Sequence, residues 1–255
     1  MARTLSSFVS AVHLGLDLKD PKDRARRFVG FLRSIPADHT ENLFLMGDIW
    51  DFWYEYRDVV PKGYARVFAT IQDLVEAGVK VWFFRGNHDV WSFSYFEEMG
   101  MRRLEEPFFV NIGGKEFCLG HGDAIGCPDR GYRFLRRVFH NRFLQMLFST
   151  LHPWIAFRLG NTWSRHNRLA REKSDFVFDF GKCALPAFAE KALQSRRVDY
   201  FIFGHYHADA EKALTGGSRL VLLKDWFDDS PYLLFDTEAT PDLISGRFGY
   251  SQNRE

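Results

Sequence analysis

Apolar positions in this chain come in short runs, and most runs empty into a polar or glycine-containing turn. The runs lie at 8–12 (FVSAV), 42–46 (NLFLM), 79–84 (VKVWFF), 116–119 (EFCL), 199–203 (DYFIF) and 219–223 (RLVLL). Their length and their aromatic and branched content predict buried strands. Helical stretches separate the early ones. Residues 21–34 open on Asp20-Pro21, an N-cap followed by a first-turn proline, and 61–77 stop before Gly78. Strand alternating with helix predicts an α/β fold. Downstream the pattern becomes more purely β: FFVNIGGKEFCL predicts a hairpin about Gly113-Gly114, and 212–250 predict further antiparallel strands. Together these elements predict two sheets packed face to face with helices outside. Repeats and low-complexity segments are absent from the sequence.

Residues 130–173 interrupt that pattern. Phe134, Leu135, Val138, Phe139, Phe143, Met146 and Leu147 fall at helical spacing among Arg133, Arg136, Arg137 and Arg142, and Pro153 opens a second helix carrying Trp154, Phe157 and Trp163. The expected organisation is one domain over 1–255 with a helical cap inserted at 125–175. A chain of 255 residues with 46% hydrophobic content is ample for one core.

Charge changes the picture only through its placement. The formal net charge is +1, yet 130–173 hold ten Arg or Lys against one acidic residue, Glu172. A segment of +9 is thus set against a body of −8, which points to an anionic partner. The three cysteines, Cys118, Cys127 and Cys183, share no CxxC spacing, so a disulfide framework or structural zinc is not expected and a reducing cytoplasm is the simplest setting. The opening MARTLSSFVSAVHL lacks the apolar core of a signal peptide, and no apolar run approaches the ~20 residues of a membrane span.

The chemistry gathers where strands end. NLFLM leads to Gly47-Asp48-Ile49-Trp50-Asp51, and VKVWFF-Arg85 to Gly86-Asn87-His88-Asp89. EFCL leads to Gly120-His121-Gly122-Asp123, and DYFIF to Gly204-His205-Tyr206-His207. Ligands bind at the carboxyl ends of strands in open α/β sheets, and glycine admits close backbone approach. A single strand-end His or Asp is more often a cap or core partner; the repetition, with His13 after the first run, is what signals a site.

These motifs resemble the calcineurin-like metallophosphoesterases, whose pattern runs DxH, GDxxD, GNH(D/E), GH, GHxH, over residues 8–207 of this chain. The resemblance implies a two-sheet metallophosphoesterase sandwich and a dinuclear site. Asp48 would bridge two ions, with His13 and His207 on one and Asn87, His121 and His205 on the other. Nitrogen and oxygen ligands without thiolate suit manganese first, with iron or zinc as alternatives. Paired ions neutralise phosphoryl oxygens and activate water. His88 would donate to the phosphate, and Asp89 or Asp51 would orient it or a liganding imidazole. One position departs from the pattern: Ala11 stands where the first aspartate belongs. The expected result is a weakened first ion site and slower turnover. Deliberate replacement and natural loss both account for it.

The basic segment also resembles the cap of the bacterial UDP-2,3-diacylglucosamine hydrolases, which cleave a nucleotide-linked lipid pyrophosphate in lipid A synthesis. The residues that carry the likeness are CPDRGYRFLRRVFHNRFLQMLF, a Pro-Trp helix and SRHNRLAREKSD. The resemblance implies substrate contacts from Asp129, Ser164, Asn167, Arg171 and Lys173, the last two as charge-assisted donors to phosphate. It also implies a partner in the nucleotide-linked acylated sugar and a peripheral position on the inner face of the cytoplasmic membrane, through the basic, aromatic cap. The best-known members carry Arg where this chain has His88. An ordinary amphipathic hairpin is the plain alternative for the segment. For the whole chain the alternatives are a hydrolase of soluble nucleotides and an inactive binding module. Nucleic acid is not an expected partner, since the aromatics lie on helices, and no obligate protein partner is evident.

Overall fold

The computed structural model of the chain describes residues 3–126, 129–172, 178–239 and 242–249, with 166–172 described by backbone alone. Two sheets make the frame. The first contains β1 (Leu5–Val9), β2 (Thr40–Leu45), β3 (Lys80–Phe84), β4 (Arg102–Leu104), β10 (Pro231–Asp236) and β11 (Leu243–Arg247), in the order β11-β10-β1-β2-β3-β4. The second contains β5 (Phe108–Ile112), β6 (Lys115–Gly120), β7 (Tyr200–Phe203), β8 (Ala210–Ala213) and β9 (Arg219–Leu222), in the order β5-β6-β7-β9-β8. Strands β1 to β4 run parallel, as do β6, β7 and β9, while β5, β8, β10 and β11 close the edges antiparallel.

Side-chain alternation explains the layers. Phe8, Phe44, Phe84, Phe117, Leu119, Tyr200 and Ile202 point between the sheets and form the central core. Their strand neighbours Val9, Leu43, Leu45, Val81 and Phe83 point the other way, against α1 (Pro21–Ser34), α2 (Ala65–Glu76) and α3 (Tyr95–Glu98). On the second sheet Cys118, Phe201, Phe203 and Leu220 turn outward to α7 (Leu185–Leu193). With two faces covered, the parallel strands are apolar at nearly every position, which is why they stand out as unbroken runs.

The expected strands and the hairpin at Gly113-Gly114 are present, with ends shifted by a residue or a few. The first run is the main exception: β1 ends at Val9, and the chain leaves the sheet before His13. Helix α1 begins as expected at Pro21, with the Asp20 carboxylate accepting from the Asp23 N–H at 2.9 Å. Helix α2 starts later, at Ala65, without a side-chain cap.

Between β6 and α7 the chain forms α4 (Arg130–His140), α5 (Arg142–Ser149) and α6 (Pro153–Glu172). The periodic stretch expected as one helix is therefore two. The break is at Asn141, whose side chain accepts from the Phe143 and Leu144 N–H groups and caps α5. Helix α6 crosses Phe52 at Gly160, where an added Cβ would lie 2.3 Å from the ring, so only glycine admits the contact.

The central layer makes a direct prediction. Phe117 is fully buried and packs on Phe8, Tyr200 and Phe235 with ring centroids 5.8, 5.1 and 5.1 Å away. Phe117→Ala should cost about 3–5 kcal/mol in urea denaturation; a loss below about 1 kcal/mol would contradict this packing.

Candidate metal centre

Because β1, β2 and β3 are parallel in one sheet and β6 and β7 in the other, their carboxyl ends meet at one edge of the sandwich. His13 follows β1, Asp48 follows β2, Asn87 and His88 follow β3, His121 follows β6, and His205 and His207 follow β7. The loops there are unusually contorted. Among the described residues, Ala11, His13, Asp48, His205 and His207 are five of the seven non-glycine residues with positive φ, at 49–62°. Such conformations persist only where surrounding structure enforces them, and they cluster at functional sites. Close approach is enforced as well: a Cβ on Gly86 would lie 2.1 Å from Asp48 Oδ1.

Asp48 is the centre of the arrangement. It is 1% exposed; Oδ1 accepts from the His88 N–H at 3.0 Å, while Oδ2 has no hydrogen-bond partner. Oδ2 instead faces His121 Nε2 at 3.4 Å and His13 Nε2 at 3.9 Å. Each of these rings is pinned through its other nitrogen. His121 Nδ1 lies 3.0 Å from the Met46 carbonyl, and His13 Nδ1 lies 3.2 Å from Asp51 Oδ1. His207 Nδ1 is likewise 3.0 Å from Asp225 Oδ2. A carbonyl or carboxylate only accepts, so each Nδ1 carries a hydrogen and each Nε2 is the nitrogen left to face a cation, for His121 once the second proton that Asp48 favours has left. Asn87 Oδ1 adds a further lone pair, 2.9 Å from His205 Nδ1 and 3.3 Å from His121 Nε2.

With the imidazoles neutral, lone pairs and a carboxylate oxygen facing one another in a buried space repel, and positive charge, from a proton on His121 or a cation between them, removes the conflict. The groups His13, Asp48 and His207, and Asp48, His121 and His205, each bring ligand atoms within 4.8 Å of one another, with Asp48 common to both. The donor set, all nitrogen and oxygen, fits two divalent ions sharing Asp48. The titration tendencies express the same demand. Burial favours a neutral Asp48, yet His121, His88 and His13 hold its carboxyl well below the usual range. Burial pulls His121 down, but Asp48, Asp123 and Glu106 push it up to about 10. Burial and the His121 charge lower His205 to about 3.

Comparison with known proteins agrees with this centre. The model of the family described as calcineurin-like phosphoesterase matches residues 10–209. The chain belongs to that family. Three relatives bear the name UDP-2,3-diacylglucosamine hydrolase. The protein from Porphyromonas gingivalis is 33% identical, over 90% of this chain and 93% of its own. Those from Serratia proteamaculans and Haemophilus influenzae are 28% and 27% identical, over 94% and 96% of this chain and 98% of their own. A dimetal phosphatase from Danio rerio, known as a crystal structure, shares the fold with a TM-score of 0.50 at 14% identity, over 96% of each chain. The chain is thus a metal-dependent hydrolase of the calcineurin-like phosphoesterase fold.

Within this phosphoesterase the expected residues have distinct positions. The six proposed ligands converge as described. His88 lies beside them: its Nδ1 is 2.7 Å from the Asp51 carbonyl and 3.4 Å from Ser164 Oγ, and its ring meets His13 edge-on with centroids 4.9 Å apart. Ser164 is buried, so α6 reaches the site through it. Asp89, expected as a catalytic group, is engaged with backbone. Its Oδ1 accepts from Gly86 N–H at 2.6 Å and its Oδ2 from Ile49 and Trp50 N–H at 2.9 and 3.3 Å, so it clamps the loops after β2 and β3 together. Burial and the Asp48 charge raise it to about 6. The orienting carboxylate for His13 is Asp51. Asp129, expected at the substrate, caps α4 by accepting from Gly131 and Tyr132 N–H. The side chains of Asn167 and Arg171, and Lys173, lie outside the described residues.

Sequence reasoning missed Asp225, which follows β9 in LVLLKDW. The strand-to-polar transition was present there, without the glycine that flagged the other four. It also missed Glu106, Tyr132 and Arg136, which meet around Asp123. Tyr132 Oη donates to Asp123 Oδ2 at 2.7 Å and Arg136 Nε at 3.2 Å, while Glu106 Oε2 accepts from Gly122 N–H at 2.7 Å. Burial and the neighbouring Asp123 push Glu106 up to about 7.

Two measurements follow from the centre. Asp48→Asn should weaken manganese binding at both positions by at least about tenfold in calorimetry, since it removes the shared charge; an unchanged isotherm would contradict the assignment. His121, lifted to about 10 by its carboxylate neighbours, must give up a proton to serve as a ligand. Manganese uptake should therefore release about one proton near pH 7, and affinity should rise about tenfold per pH unit between about 6 and 8. Pairs of buffers with different ionisation enthalpies read this directly; pH-independent affinity would contradict it.

Proposed function

We propose that this phosphoesterase hydrolyses the pyrophosphate of UDP-2,3-diacylglucosamine, giving UMP and 2,3-diacylglucosamine 1-phosphate. The observation that carries the reading is a cavity of about 580 Å³ between the metal-binding loops and helices α4–α6, which we take to be the cap. Asn87, His88 and Ser164 lie at its polar end, while Phe52, Trp91, Leu135, Phe139, Phe148 and Trp163 make an apolar wall. A phosphoester of a soluble nucleotide has no use for such a wall; acyl chains do. The names of the relatives support the same substrate.

His13, Asp48 and His207 would hold one ion and Asp48, Asn87, His121 and His205 the other, with manganese foremost. What bound ions supply is charge against the phosphoryl oxygens and an acidified water. The chain's own groups do the rest. His88, held through Nδ1 by the Asp51 carbonyl, has its second ring nitrogen to offer a phosphate oxygen. Asp51 and Asp225 fix the rings of His13 and His207. The apolar wall sequesters the lipid and excludes water from it.

Membrane-facing features accompany this reading. Phe134, Phe143, Met146, Leu147, Trp154 and Leu159 are all more than half exposed on α4–α6, among arginines. An apolar face rimmed by one sign of charge suits an anionic lipid surface. Among the described residues no helix is long and apolar enough to cross a membrane. A peripheral position on the cytoplasmic face is therefore part of the proposal.

Ala11 bears on rate. It is fully buried with φ of 51°, where alanine is strained and aspartate is tolerated. Its backbone is fixed by hydrogen bonds with Gly47 and Trp226. With alanine there, the first ion would be held by two imidazoles and the shared carboxylate, without a second anionic ligand. The same residue favours a second reading, an inactive lipid-binding module.

Ala11→Asp should raise bound manganese toward two per chain and increase UDP-2,3-diacylglucosamine hydrolysis by more than about tenfold. Metal analysis and UMP release in detergent check this; equal metal content and equal rate would contradict the ligand assignment. Mass spectrometry of the purified chain should find a retained diacylated sugar nucleotide or sugar phosphate.

A further inference from the structure

We propose that Asp123 is a positioning residue that fixes the first cap helix, and with it one wall of the cavity, to the loop carrying His121. The consequence for turnover rests on the assignment of that cavity to the lipid substrate; the tether itself does not.

Asp123 stands two residues beyond His121, is 5% exposed, and lies at the cavity's edge. Its Oδ2 takes both the Tyr132 hydroxyl and the Arg136 Nε–H. Tyr132 and Arg136 are four residues apart on α4 and so share one face. One carboxylate therefore grips successive turns of the helix and sets both its translation and its rotation. On the core side the loop is held by Glu106, which accepts from the Gly122 N–H. Tyr132 also approaches His205, with ring centroids 6.3 Å apart. The helix is thus registered against two ligand-bearing loops at once.

Apolar docking of α4 is confined largely to its far end, where Phe139 packs on Trp91 with ring centroids 5.2 Å apart. None of the residues of α4 is buried, so the burial that ordinarily seats a helix is weak here. The other core-to-cap hydrogen bonds among the described residues are Trp91 Nε1–H to the Phe139 carbonyl, Tyr54 Oη to Gln145, Tyr56 Oη to Leu151, and Ser164 Oγ with His88 Nδ1. Among the described residues, Arg136–Asp123 is the ion pair that joins cap and core. A charge-assisted bond to a nearly buried carboxylate is the strongest of these ties. Leu135, Val138 and Phe139 ride on the same helix into the cavity wall. Any slip of α4 changes the space left for the lipid before it changes the ligand cage.

Hydrogen–deuterium exchange on the full chain tests the tether. Asp123→Ala should speed exchange across 130–140 by about tenfold, the equivalent of one charge-assisted hydrogen bond, with β6 and β7 as protected as before. Asp123→Asn keeps an acceptor for Tyr132 but no charge for Arg136, and should fall between. Added to the Ala11→Asp chain, Asp123→Ala should lose efficiency mainly through a rise of about tenfold in KM for UDP-2,3-diacylglucosamine, with Asp123→Asn partly rescued. Unchanged exchange over 130–140, or equal loss of protection in β6, would overturn the proposal. So would a loss confined to kcat. If the Ala11→Asp parent hydrolyses no lipid nucleotide while the exchange pattern holds, the tether is supported and the substrate assignment fails.

Discussion

A carboxylate buried among imidazole nitrogens, which demands positive charge beside it, is the constraint on which this structure turns. Among the described residues Asp48 Oδ2 meets no donor in ordinary hydrogen-bond geometry, and the rings facing it turn their Nδ1 to a carbonyl or carboxylate behind them. Leaving such an oxygen dry is costly unless positive charge lies close by. The loops pay for this arrangement with left-handed backbone at Ala11, His13, Asp48, His205 and His207, and the sandwich beneath them is rigid enough to impose it. Three apolar layers hold the strands whose ends carry the ligands, so the centre inherits its precision from the core.

Much of this was legible along the chain. Parallel strands buried on both faces leave unbroken apolar runs, and each liganding loop starts where such a run meets glycine and a polar residue. What could not be read depends on contacts between distant segments. Asp51 and Asp89 look alike as strand-end aspartates; only folding shows that one reaches an imidazole and the other three backbone N–H groups. Asp225 lacked the glycine that marked its counterparts. The helix break at Asn141 was hidden because apolar spacing continues across it on both sides, while capping is a local hydrogen-bond choice that spacing does not record. Asp129 is expected at the substrate by likeness alone, and spacing does not show that one of its carboxylate oxygens caps α4.

The helices over the site follow a different logic from the core. Their large apolar residues are divided between a cavity wall and the outer surface, and charge is almost entirely of one sign. The first of these helices has no fully buried residue and is fastened in part by directed polar contacts. On the proposed reading, that arrangement admits an acylated substrate while keeping a fixed distance to the ligand cage. Ala11 is buried beside the cage with left-handed backbone, and His13, Asp48 and His207 still converge there.

Anomalous diffraction at the manganese edge, from crystals of this chain grown with the ion, tests the central claim most directly. The account predicts two peaks sharing Asp48 Oδ2, a strong one against Asn87, His121 and His205 and a weaker one against His13 and His207. Density placed elsewhere, or no peak within coordinating distance of that oxygen, would contradict it.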